Sequence, residues 1–555
     1  MRYNLGVGRS GAFEHNRSPV LGTRHEAVHV SFNPRTMKTI KNTIKKEINQ
    51  VLSDIYKLDD TSFQVEYPPQ EEMGDYSCNI AMVLAKKLKK NPMEVGEEIA
   101  RSIKNKMFES IKVVKPGFIN FYLASGVLNS NIEEVLKKKD KYGELKADKK
   151  LKIQVEFISA NPTGPLTLAN GRGGFSGDIL ANVLTLAGHK VEREYLINNW
   201  GGQVRKLGHS ILKDDQKEYS GDYIDELAKR IKGDDPEKVG LEAAEIIVEE
   251  MIKPTIEDKM KIKFDKWFEE RKIHESGEVD KVIEEFRKKD LIYEKENASW
   301  FKSSKYGDEK DRVIIKADGD KTYIGGDIAY HKNKFERGFD KVINIWGADH
   351  HGDVARLLAG VEVLGYKGQL EILLMQMMRL IKKGKEVRMS KRAGVYVTMD
   401  ELIDEVGLDV TRFFFLMHAN NKAMDFDLDL AKEKSSKNPV FYVQYAHARI
   451  CSIINKTKGL KEDTEKKEFN SSEKELIKEL IKWPELVDEV SENYEVHKLP
   501  FYAMALADKF HDFYENSRVI EEDRVIQYRL EIIKATKQVL SNVLSALGVS
   551  APEKM

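Results

Sequence analysis

Cysteine and long apolar runs are the two features that this chain has least of. Its 555 residues contain only Cys78 and Cys451, so the sequence provides no disulfide framework and is typical of a reducing compartment. No apolar run reaches the length that crosses a membrane. The N-terminus also lacks the apolar core of a secretory signal. We therefore expect a cytoplasmic protein with no membrane partner.

An excess of charge of one sign is also absent. Lys and Arg total 91, Asp and Glu total 91, and charged residues make up 33% of the chain. This balance does not exclude nucleic acid as a partner, because local patches rather than totals bind phosphate. The length predicts three or four domains with an ample core.

Lysine is missing from residues 1–36, which contain five arginines, although it is abundant from Lys38 onward. Gly, Ser, Asn and Pro are scattered through this stretch without hydrophobic periodicity. We interpret it as an extension, and favour a disordered tail or a start site placed too early over a basic targeting peptide. We expect translation to start naturally at Met37.

The most informative segment reads Glu-Val-Arg-Met-Ser-Lys-Arg-Ala-Gly, at 386–394. Arg388, Ser390 and Lys391 bring two cations and a hydroxyl onto one loop. Such a loop could close over a triphosphate and stabilise the charge that builds on a leaving pyrophosphate. Taken alone, a basic run is more typical of a solvated surface.

The flanks of this loop are predicted to be anchored. A strand at 375–381 and a turn at 382–385 form a hairpin before it. After it, residues 398–401 form a capping box that begins a helix. A loop between two fixed elements suits a lid that closes on ATP.

A second segment, upstream, predicts a strand–loop–helix–strand unit. Strands at 151–157 and 190–196 enclose a turn-rich loop at 159–165 and a helix from about 170 to 187. This unit opens a doubly wound nucleotide-binding fold and puts a helix N-terminus where an anion would lie. The glycines near the helix start equally fit close helix–sheet packing alone.

Together, the two segments resemble those of class I aminoacyl-tRNA synthetases. That family carries a His-Ile-Gly-His-like signature in the first half of the fold and a Lys-Met-Ser-Lys-Ser-like loop in the second. The surrounding words are similar to those of arginyl-tRNA synthetases, in the same order, over roughly residues 60–555. These words are EFISANPTGPL (156–166), NNWGGQ (198–203), YIGGDIAYH (323–331), WGADHHGDVARL (346–357), RMSKRAG (388–394), GLDVTRFFFL (407–416) and NPVFYVQYAHARI (438–450).

The resemblance implies an α/β fold with a Rossmann-like, doubly wound catalytic domain. An α+β N-terminal domain and an all-helical, anticodon-binding C-terminal bundle would flank it. The predicted domains are 37–150 (N-terminal, contacting tRNA), 151–400 (catalytic), 401–437 (connecting) and 438–555 (anticodon-binding). A mostly helical insertion is expected within the catalytic domain, at about 207–298.

The chain departs from the family in the first signature, because Thr167 and Asn170 stand where histidines usually do. Both keep a hydrogen-bond donor, but neither can become cationic. Our hypothesis is that neutral donors suffice, with positive charge supplied by Arg388, Lys391, Mg²⁺ and the helix N-terminus. The competing hypothesis is a paralogue that has lost catalysis.

The resemblance also implies that ATP and Mg²⁺ are used, at a site around the two signatures and the word WGADHH. The implied catalytic residues are Thr167, Asn170, Arg388, Ser390 and Lys391. The implied ATP-binding residues are Pro165, Leu166, Ala169, Gly171, Gly347, Asp349, His350 and Met389. Although Asp349, His350 and His351 invite a zinc interpretation, no third and fourth ligand follow at metal spacing, and no metal site is predicted.

A pocket for arginine must satisfy a planar, permanently charged guanidinium, which a carboxylate can pair with bidentately. The residues that the resemblance implies for this pocket are Glu156, Ser159, Asn161, Glu270, Tyr323 and Asp327. Tyr323 and Asp327 are four apart and share one face of a helix, although an ordinary polar pair at a helix start has the same spacing. Glu270 lies in an acidic segment that could match by accident. A pocket of this kind rejects uncharged analogues strongly, so editing is not expected.

Interleaved aromatic and basic side chains predict an RNA face at the start of the C-terminal domain. Tyr445 and Arg449 suit the stacking of splayed-out bases on rings and Arg planes, although we expect about half of the aromatics here to be core. A basic helix at 80–90 carries Lys86 and Lys90, which either contact tRNA phosphate or are simply solvated.

The resemblance therefore implies an ATP-dependent arginine–tRNA ligase that forms arginyl-adenylate and transfers arginine to tRNA(Arg), releasing AMP and pyrophosphate. It further implies that tRNA binds before arginine is activated, and we expect a monomer. Two alternatives stay open at this point: a class I synthetase for another amino acid, and an RNA-binding paralogue with impaired catalysis.

Because Thr167 and Asn170 bring no charge, the basic loop must supply more of the neutralisation. We predict that Lys391→Ala causes a large loss of ATP–pyrophosphate exchange and of tRNA charging with arginine, since Lys391 acts on charge that develops in the transition state. A mild effect on activation would contradict this account.

Overall fold

A small α+β layer begins the part of the chain that the computed structural model describes, which is residues 39–59, 61–387, 397–465 and 468–555. Its antiparallel sheet has the order β1-β2-β4-β3. Its strands are β1 Val65–Glu66, β2 Tyr76–Cys78, β3 Phe108–Val114 and β4 Phe118–Leu123, and its helices are α1 Ile40–Val51, α2 Ile80–Leu88, α3 Pro92–Ser102 and α4 Ser125–Lys138. Thr39 caps α1 by accepting a hydrogen bond from Asn42 N–H, and α2 confirms the predicted basic helix.

The central sheet is parallel and has five strands in the order β12-β11-β5-β6-β7. These strands are β5 Lys152–Glu156, β6 Lys190–Ile197, β7 Lys266–Glu269, β11 Lys341–Gly347 and β12 Leu370–Met375. Read across the sheet from β7, the strands come third, second, first, fourth and fifth along the chain, as in a doubly wound fold. The order reverses between β5 and β11, which is where such sheets bind ligands at their carboxyl edge.

Other elements surround this sheet. The strands are β8 Ile292–Lys295, β9 Ala298–Phe301, β10 Arg312–Ile315, β13 Met378–Lys382, β14 Lys385–Val387 and β15 Met424–Asp427. The helices are α5 Leu168–Leu186, α6 Gly202–Leu212, α7 Asp222–Arg230, α8 Pro236–Ile247, α9 Glu270–Glu275, α10 Glu278–Lys288, α11 Tyr323–Glu336, α12 His351–Val363, α13 Met399–Val406, α14 Leu408–Leu416 and α15 Leu428–Ala431.

The predicted insertion at 207–298 needs one correction. Much of it is helical, but β7 pairs in parallel with β6, from Glu194 opposite Lys266 to Ile197 opposite Glu269. It is therefore an edge strand of the catalytic sheet. A four-residue strand in a highly charged segment has too little periodicity to reveal itself in the sequence.

Helix α5 confirms the predicted strand–loop–helix–strand unit and is buried along most of its length. It packs on the sheet on one side and contacts α14 and helices of the C-terminal bundle on the other. The approach to the sheet is close, because a Cβ atom added at Gly177 would clash with the Phe157 side chain, lying 2.6 Å from its Cβ. Glycine at this position therefore sets how near the helix lies to the end of β5.

The C-terminal bundle has four helices, α16 Pro439–Lys456, α17 Ser471–Asn493, α18 Lys498–Asn516 and α19 Gln527–Leu547. The predicted helical bundle is confirmed, except that it is not all-helical. A small sheet interrupts it, formed by β16 Lys461–Asp463, β17 Ile520–Glu521 and β18 Arg524–Ile526. Among the described residues, no helix has the length and apolar character needed to span a membrane.

A buried carboxylate joins the N-terminal domain to this bundle. Glu485 of α17 is 3% exposed. Its oxygens accept hydrogen bonds from the hydroxyls of Tyr67 and Tyr76 and from Lys41 N–H, which is 2.9 Å away. Burial raises the pKa of Glu485 above its usual value. This acidic side chain is therefore one of several contacts between the two domains, together with the hydrogen bond from Trp483 Nε1 to the Tyr142 carbonyl at 3.1 Å.

We predict that Gly177→Ala lowers the thermal stability of the protein, by about 1–3 kcal/mol, because an added methyl group overpacks the contact with Phe157. Thermal unfolding of the full chain measures the effect. Gly126→Ala is the matched control: Gly126 lies in α4 and has open space at its Cβ position, so we expect no loss there. Equal stability of the two variants would contradict the close packing described for α5.

Candidate active site

The chain leaves β5 through two residues with unusual backbone angles. Ile158 and Ser159 have φ of 67° and 38°. Positive φ is uncommon for any residue other than glycine and rarest for a β-branched one such as Ile158, so the turn is strained. Asn198, at the end of β6, holds the turn by donating its side-chain amide to the Ser159 carbonyl at 2.7 Å. The Ser159 hydroxyl also accepts from Leu196 N–H at 3.1 Å. Strain is thus stabilised at the carboxyl edge of the sheet, where ligands are expected.

Glu156 lies beneath this turn and is 3% exposed. One carboxylate oxygen accepts from the Ser159 hydroxyl at 3.0 Å, and the other pairs with the buried ammonium of Lys334. Lys334 in turn donates to the Asn344 side chain at 3.1 Å. Because both carboxylate oxygens of Glu156 already have partners within the protein, its role is better explained as positioning the Ser159 side chain than as contacting a substrate directly. Asn161 lies further along the loop and is exposed.

Tyr323, Asp327 and Glu270 come together on two helices. Tyr323 begins α11 and is 66% exposed, and Asp327 lies one turn further on. Glu270 begins α9, directly after β7. The Tyr323 ring lies over the Gly201-Gly202 turn, where an added Cβ would lie 3.7–3.8 Å from it. An aromatic ring and two acids therefore converge beside the sheet edge.

The electrostatics of the two acids are unusual. The pKa of Asp327 is raised from 3.8 to about 7, first by burial and then by the negative charge of Glu270, while Arg356 is the main group that opposes the rise. Within the described part of the chain, no side chain donates a hydrogen bond to the Asp327 carboxylate or forms an ion pair with it. Both acids are half-buried, and an acidic pair in such a place without an ion-paired cation is unfavourable, so a cationic ligand would stabilise it.

The backbone carbonyl of Asp327 accepts a hydrogen bond from a neutral histidine, His331. Burial lowers the pKa of His331 well below its usual value, and the charge of Lys334 adds to this effect. The neutral ring donates from Nδ1 to the Asp327 carbonyl at 2.7 Å and accepts at Nε2 from the Asn344 amide at 2.7 Å. The network therefore continues from the first turns of α11 through Asn344 to Glu156.

The two residues that replace histidine in the first signature, Thr167 and Asn170, hydrogen-bond to each other. Thr167 caps α5, and its N–H and hydroxyl both donate to Asn170 Oδ1, at 3.0 and 2.8 Å. The Thr167 hydroxyl is therefore committed to Asn170. The Asn170 side-chain NH₂ has no acceptor among the residues that the structure describes, so it is the donor that stays available at the start of the helix.

The neighbouring ATP-binding candidates differ in what they contact. Leu166 is fully buried, and its carbonyl accepts from Met399 N–H at 3.0 Å. A Cβ atom added at Gly171 would lie 2.7 Å from Met399 Cε, so this glycine makes room for Met399. Pro165 is half-buried and Ala169 is exposed. The start of α5 is thus fastened to the start of α13.

Arg172 fastens the same helix to the two segments that lead into β13 and β15. Its guanidinium is buried, which lowers its pKa to about 10. It donates to four carbonyl oxygens, those of Gln376 (2.7 Å), Met377 (3.4 Å), Ala419 (3.0 Å) and Lys422 (2.7 Å). The predicted strand at 375–381 is wrong at this point, because β12 ends at 375 and β13 starts at 378, so that the intervening carbonyls face Arg172.

The second signature itself, with Arg388, Met389, Ser390 and Lys391, lies outside the described residues. Its flanks do not. Strand β14 ends at 387, paired with β13, and the predicted capping box of Thr398 and Glu401 is confirmed at the start of α13. Thr398 also forms a β-bridge with Thr167. Both anchors of the basic loop are therefore tied to α5.

The word WGADHH spans the end of β11, at the carboxyl edge of the sheet as predicted. Gly347 ends the strand, and the side chains of Asp349 and His350 are 76% and 57% exposed. His350 Nδ1 lies 3.2 Å from a carboxylate oxygen of Asp353. Over the described ranges, no three His, Cys, Asp or Glu side chains form a group that could hold a metal ion.

The predicted RNA face lies on the bundle. Tyr445 is 40% exposed, stacks between Phe441 (6.4 Å) and His511 (6.2 Å), and accepts a long hydrogen bond from Arg449. The Arg449 guanidinium also lies 4.6 Å from the centre of the Tyr514 ring. The exposed rings of Tyr445 and Tyr514 and the half-buried Arg449 therefore lie together where α16 packs against α18.

The basic helix of the N-terminal domain presents its lysines to solvent. Lys86 is exposed near the end of α2, and Lys90 is exposed just after it. Lys90 lies 3.7 Å from a carboxylate oxygen of Glu98. Solvent exposure of this kind is compatible both with contact to phosphate and with simple solvation.

Sequence reasoning missed four residues that build the pocket. They are Asn198, Trp200, His274 and Lys334. The spacing of Glu270 and His274 was a usable signal, because residues four apart share a helix face. The role of Asn198 depends on the strained turn of another strand, so no local pattern could have indicated it.

Three family models match the chain. The "Arginyl tRNA synthetase N terminal domain" matches 40–123, the "tRNA synthetases class I (R), catalytic domain" matches 131–251 and 230–451, and the "DALR anticodon binding domain" matches 443–555. These matches agree with the predicted fold class, while the predicted domain boundaries stay predictions. The catalytic domain and its fold are those of a class I aminoacyl-tRNA synthetase.

Whole-length relatives agree. The arginine–tRNA ligase of Carboxydothermus hydrogenoformans is 43% identical over 529 residues, covering 90% of this chain and 95% of the relative. The arginine–tRNA ligase of Bacillus subtilis is 42% identical over 551 residues, covering 93% and 99%. The solved structure of Thermus thermophilus arginyl-tRNA synthetase, 20% identical, matches in fold with a TM-score of 0.76 and covers 93% of this chain and 100% of that one. The chain belongs to the arginyl-tRNA synthetase family, so the resemblance drawn from the sequence is confirmed.

We predict that Asp327→Asn stabilises the ligand-free protein, and more so at pH 8.5 than at pH 5.5. Because its pKa is raised on folding, Asp327 contributes no penalty below about pH 4. It then destabilises the fold increasingly as pH rises through about 7. The upper limit of the gain is about 4 kcal/mol. Thermal unfolding without ligand measures it.

Asp320→Asn is the matched control, because Asp320 is exposed just before α11. It should leave the pH profile of stability unchanged. A loss of stability in Asp327→Asn at pH 8.5 would show that the carboxylate is satisfied in the free protein and would contradict the electrostatic description.

Proposed function

We propose that the chain is an arginine–tRNA ligase that uses ATP to activate L-arginine and transfers it to tRNA(Arg). The single observation that carries the choice of amino acid is the half-buried acidic pair of Asp327 and Glu270, which forms no ion pair with a lysine or arginine among the described residues. Glu270 directly follows β7, so the pair lies at the carboxyl edge of a class I catalytic sheet, which is where a substrate would bind. The family and the whole-length relatives support arginine over the two alternatives considered from the sequence.

The pocket suits a guanidinium better than an ammonium. Asp327 can take two N–H groups in the parallel, bidentate geometry that a planar guanidinium offers. Glu270 supplies a second negative charge, and the exposed ring of Tyr323 covers the group from the Gly201-Gly202 side. A neutral side chain of similar shape would leave both acids unpaired, so discrimination should be strong and editing unnecessary.

The backbone end of arginine is proposed to lie over the strained turn after β5. The Ser159 and Asn161 side chains are placed there, while Glu156 acts from below through its hydrogen bond to Ser159. Because Asn198 fixes the Ser159 carbonyl, the turn is preorganised before the substrate arrives.

ATP is proposed to bind at the N-terminus of α5 as its Mg²⁺ complex, so that the ion is part of the substrate. The Asn170 amide and the free N–H groups of the first turn are donors for phosphate oxygens. Gly347, Asp349 and His350 line the next strand end, beside them in the switch-point crevice. Arg388, Ser390 and Lys391 are proposed to close over the leaving pyrophosphate.

Chemistry then needs no protein nucleophile. A carboxylate oxygen of arginine attacks the α-phosphorus of ATP, and the bond to pyrophosphate breaks. The terminal ribose of the tRNA next attacks the adenylate carbonyl carbon, and AMP leaves. Rate comes from holding the reacting groups in place and from stabilising charge on the phosphates.

The tRNA is proposed to contact two regions. Tyr445 and Arg449 offer a ring and a guanidinium plane on which unstacked anticodon bases can stack. Lys86 and Lys90 are proposed to contact backbone phosphates at another part of the tRNA. The monomeric state and cytoplasmic location expected from the sequence stay predictions.

We predict arginine-dependent ATP–pyrophosphate exchange in the presence of tRNA(Arg), and little exchange without tRNA. The KM for arginine should rise as pH falls below about 7, approaching tenfold per pH unit, because binding requires the ionised form of Asp327. Steady-state exchange at several arginine concentrations between pH 5.5 and 8.5 measures this dependence.

Asp327→Asn should abolish arginine use, whereas the exposed control Asp320→Asn should behave as wild type. Exchange with another amino acid but not with arginine would contradict the proposal. So would no exchange with any amino acid when tRNA is present, which would favour a paralogue with impaired catalysis.

A further inference from the structure

His274 forms part of the wall beside the acidic pair. It lies on α9, four residues after Glu270, and its side chain is 12% exposed. The Trp200 ring stacks on it, with ring centres 4.9 Å apart and an angle of 11° between the planes. The imidazole is therefore fixed in orientation by an aromatic neighbour.

The His274 ring also contacts the backbone of α11. A Cβ atom at Gly326 would lie 3.1 Å from Nε2 and 3.2 Å from Cε1 of His274. The ring edge thus lies against the residue that directly precedes Asp327. Glycine at 326 permits this approach, because a side chain there would push the imidazole away from the acids.

The Nε2 atom of His274 is buried and has no hydrogen-bond partner among the described residues. Its distance to the nearest Glu270 carboxylate oxygen is 3.7 Å, which is too long for a hydrogen bond. A buried nitrogen left in this state is unfavourable. It lies between the carboxylate of Glu270 and the turn that carries Asp327, so a group bound by the two acids would lie within its reach.

The chemistry of a guanidinium fits this arrangement. A guanidinium has five N–H donors in one plane, and a bidentate pair with Asp327 uses two of them. Glu270 can accept another, and at least one donor is left to satisfy. A neutral imidazole nitrogen accepts such a donor without adding a positive charge beside the cation.

We propose that His274 Nε2 accepts a hydrogen bond from the substrate guanidinium, which makes His274 a third side chain that reads arginine, together with Asp327 and Glu270. This inference rests on the proposed function. In this arrangement Trp200 and Gly326 are positioning residues, because they hold the imidazole plane where Nε2 faces the bound group.

His274→Phe and His274→Gln test the proposal in the full-length protein, with tRNA(Arg) present and ATP–pyrophosphate exchange as the assay. Phenylalanine keeps a ring for Trp200 to stack on but removes the acceptor. The KM for arginine should rise about tenfold or more, with kcat and the KM for ATP within about twofold of wild type. Glutamine can place its amide oxygen near the position of Nε2 and should restore most of the affinity.

The outcomes distinguish a failure of the role proposed for His274 from a failure of the proposed function. An unchanged KM for arginine in His274→Phe overturns the role of His274 and leaves the proposed function intact. Equal losses in the two variants, with equal falls in thermal midpoint, also overturn it, since they indicate a packing role. Absence of arginine-dependent exchange in the wild type overturns both proposals.

A third variant keeps the test decisive if His274→Phe does not fold. His274→Ala leaves a space beneath Trp200 that free imidazole can enter. Added imidazole should lower the KM for arginine of this variant at least several-fold, while the wild type should not respond. No response of the folded alanine variant to imidazole, together with a wild-type KM, overturns the proposal.

Discussion

The guanidinium of Arg172 lies in a cage of backbone carbonyls, and both halves of the active site depend on that contact. A buried cation without a carboxylate is expensive, but four charge-assisted hydrogen bonds offset the cost. The flat, forked geometry of arginine lets one side chain hold two separate segments, which a lysine ammonium could not do equally well. Helix α5 therefore carries the first signature and also fixes the approach to the second.

The proposed substrate pocket has the opposite arrangement. There, two acids lie together without a cation, and a histidine nitrogen lies beside them without a donor. Arg172 is satisfied entirely by the protein and is permanent structure, whereas Asp327, Glu270 and His274 are satisfied only in part. Polar groups left incomplete in a buried site indicate where a ligand completes the structure.

Sequence reasoning succeeded where a local pattern determines the structure. The strand–loop–helix–strand unit around α5 has clear periodicity and a glycine stop, and the capping box of Thr398 and Glu401 is a local motif. Sequence reasoning failed where contacts between residues far apart in the chain determine the structure. The break between β12 and β13 exists because Arg172 takes the carbonyls there, and β7 is recognisable only through its pairing with β6. The same division applies to the site: the pairing of Thr167 with Asn170, the enclosure of Glu156 and the approach of His274 to the acids all depend on how side chains pack in three dimensions.

Glu485 has a consequence for the distance between the two surfaces that are proposed to contact tRNA. Because this buried carboxylate joins Tyr67, Tyr76 and α1 to the bundle, the N-terminal domain and the aromatic face of α16 form one frame of fixed span. The distance between the two surfaces proposed to contact tRNA is therefore set before any RNA binds. Under the proposed function, a tRNA would meet contact surfaces whose spacing the protein itself has already fixed.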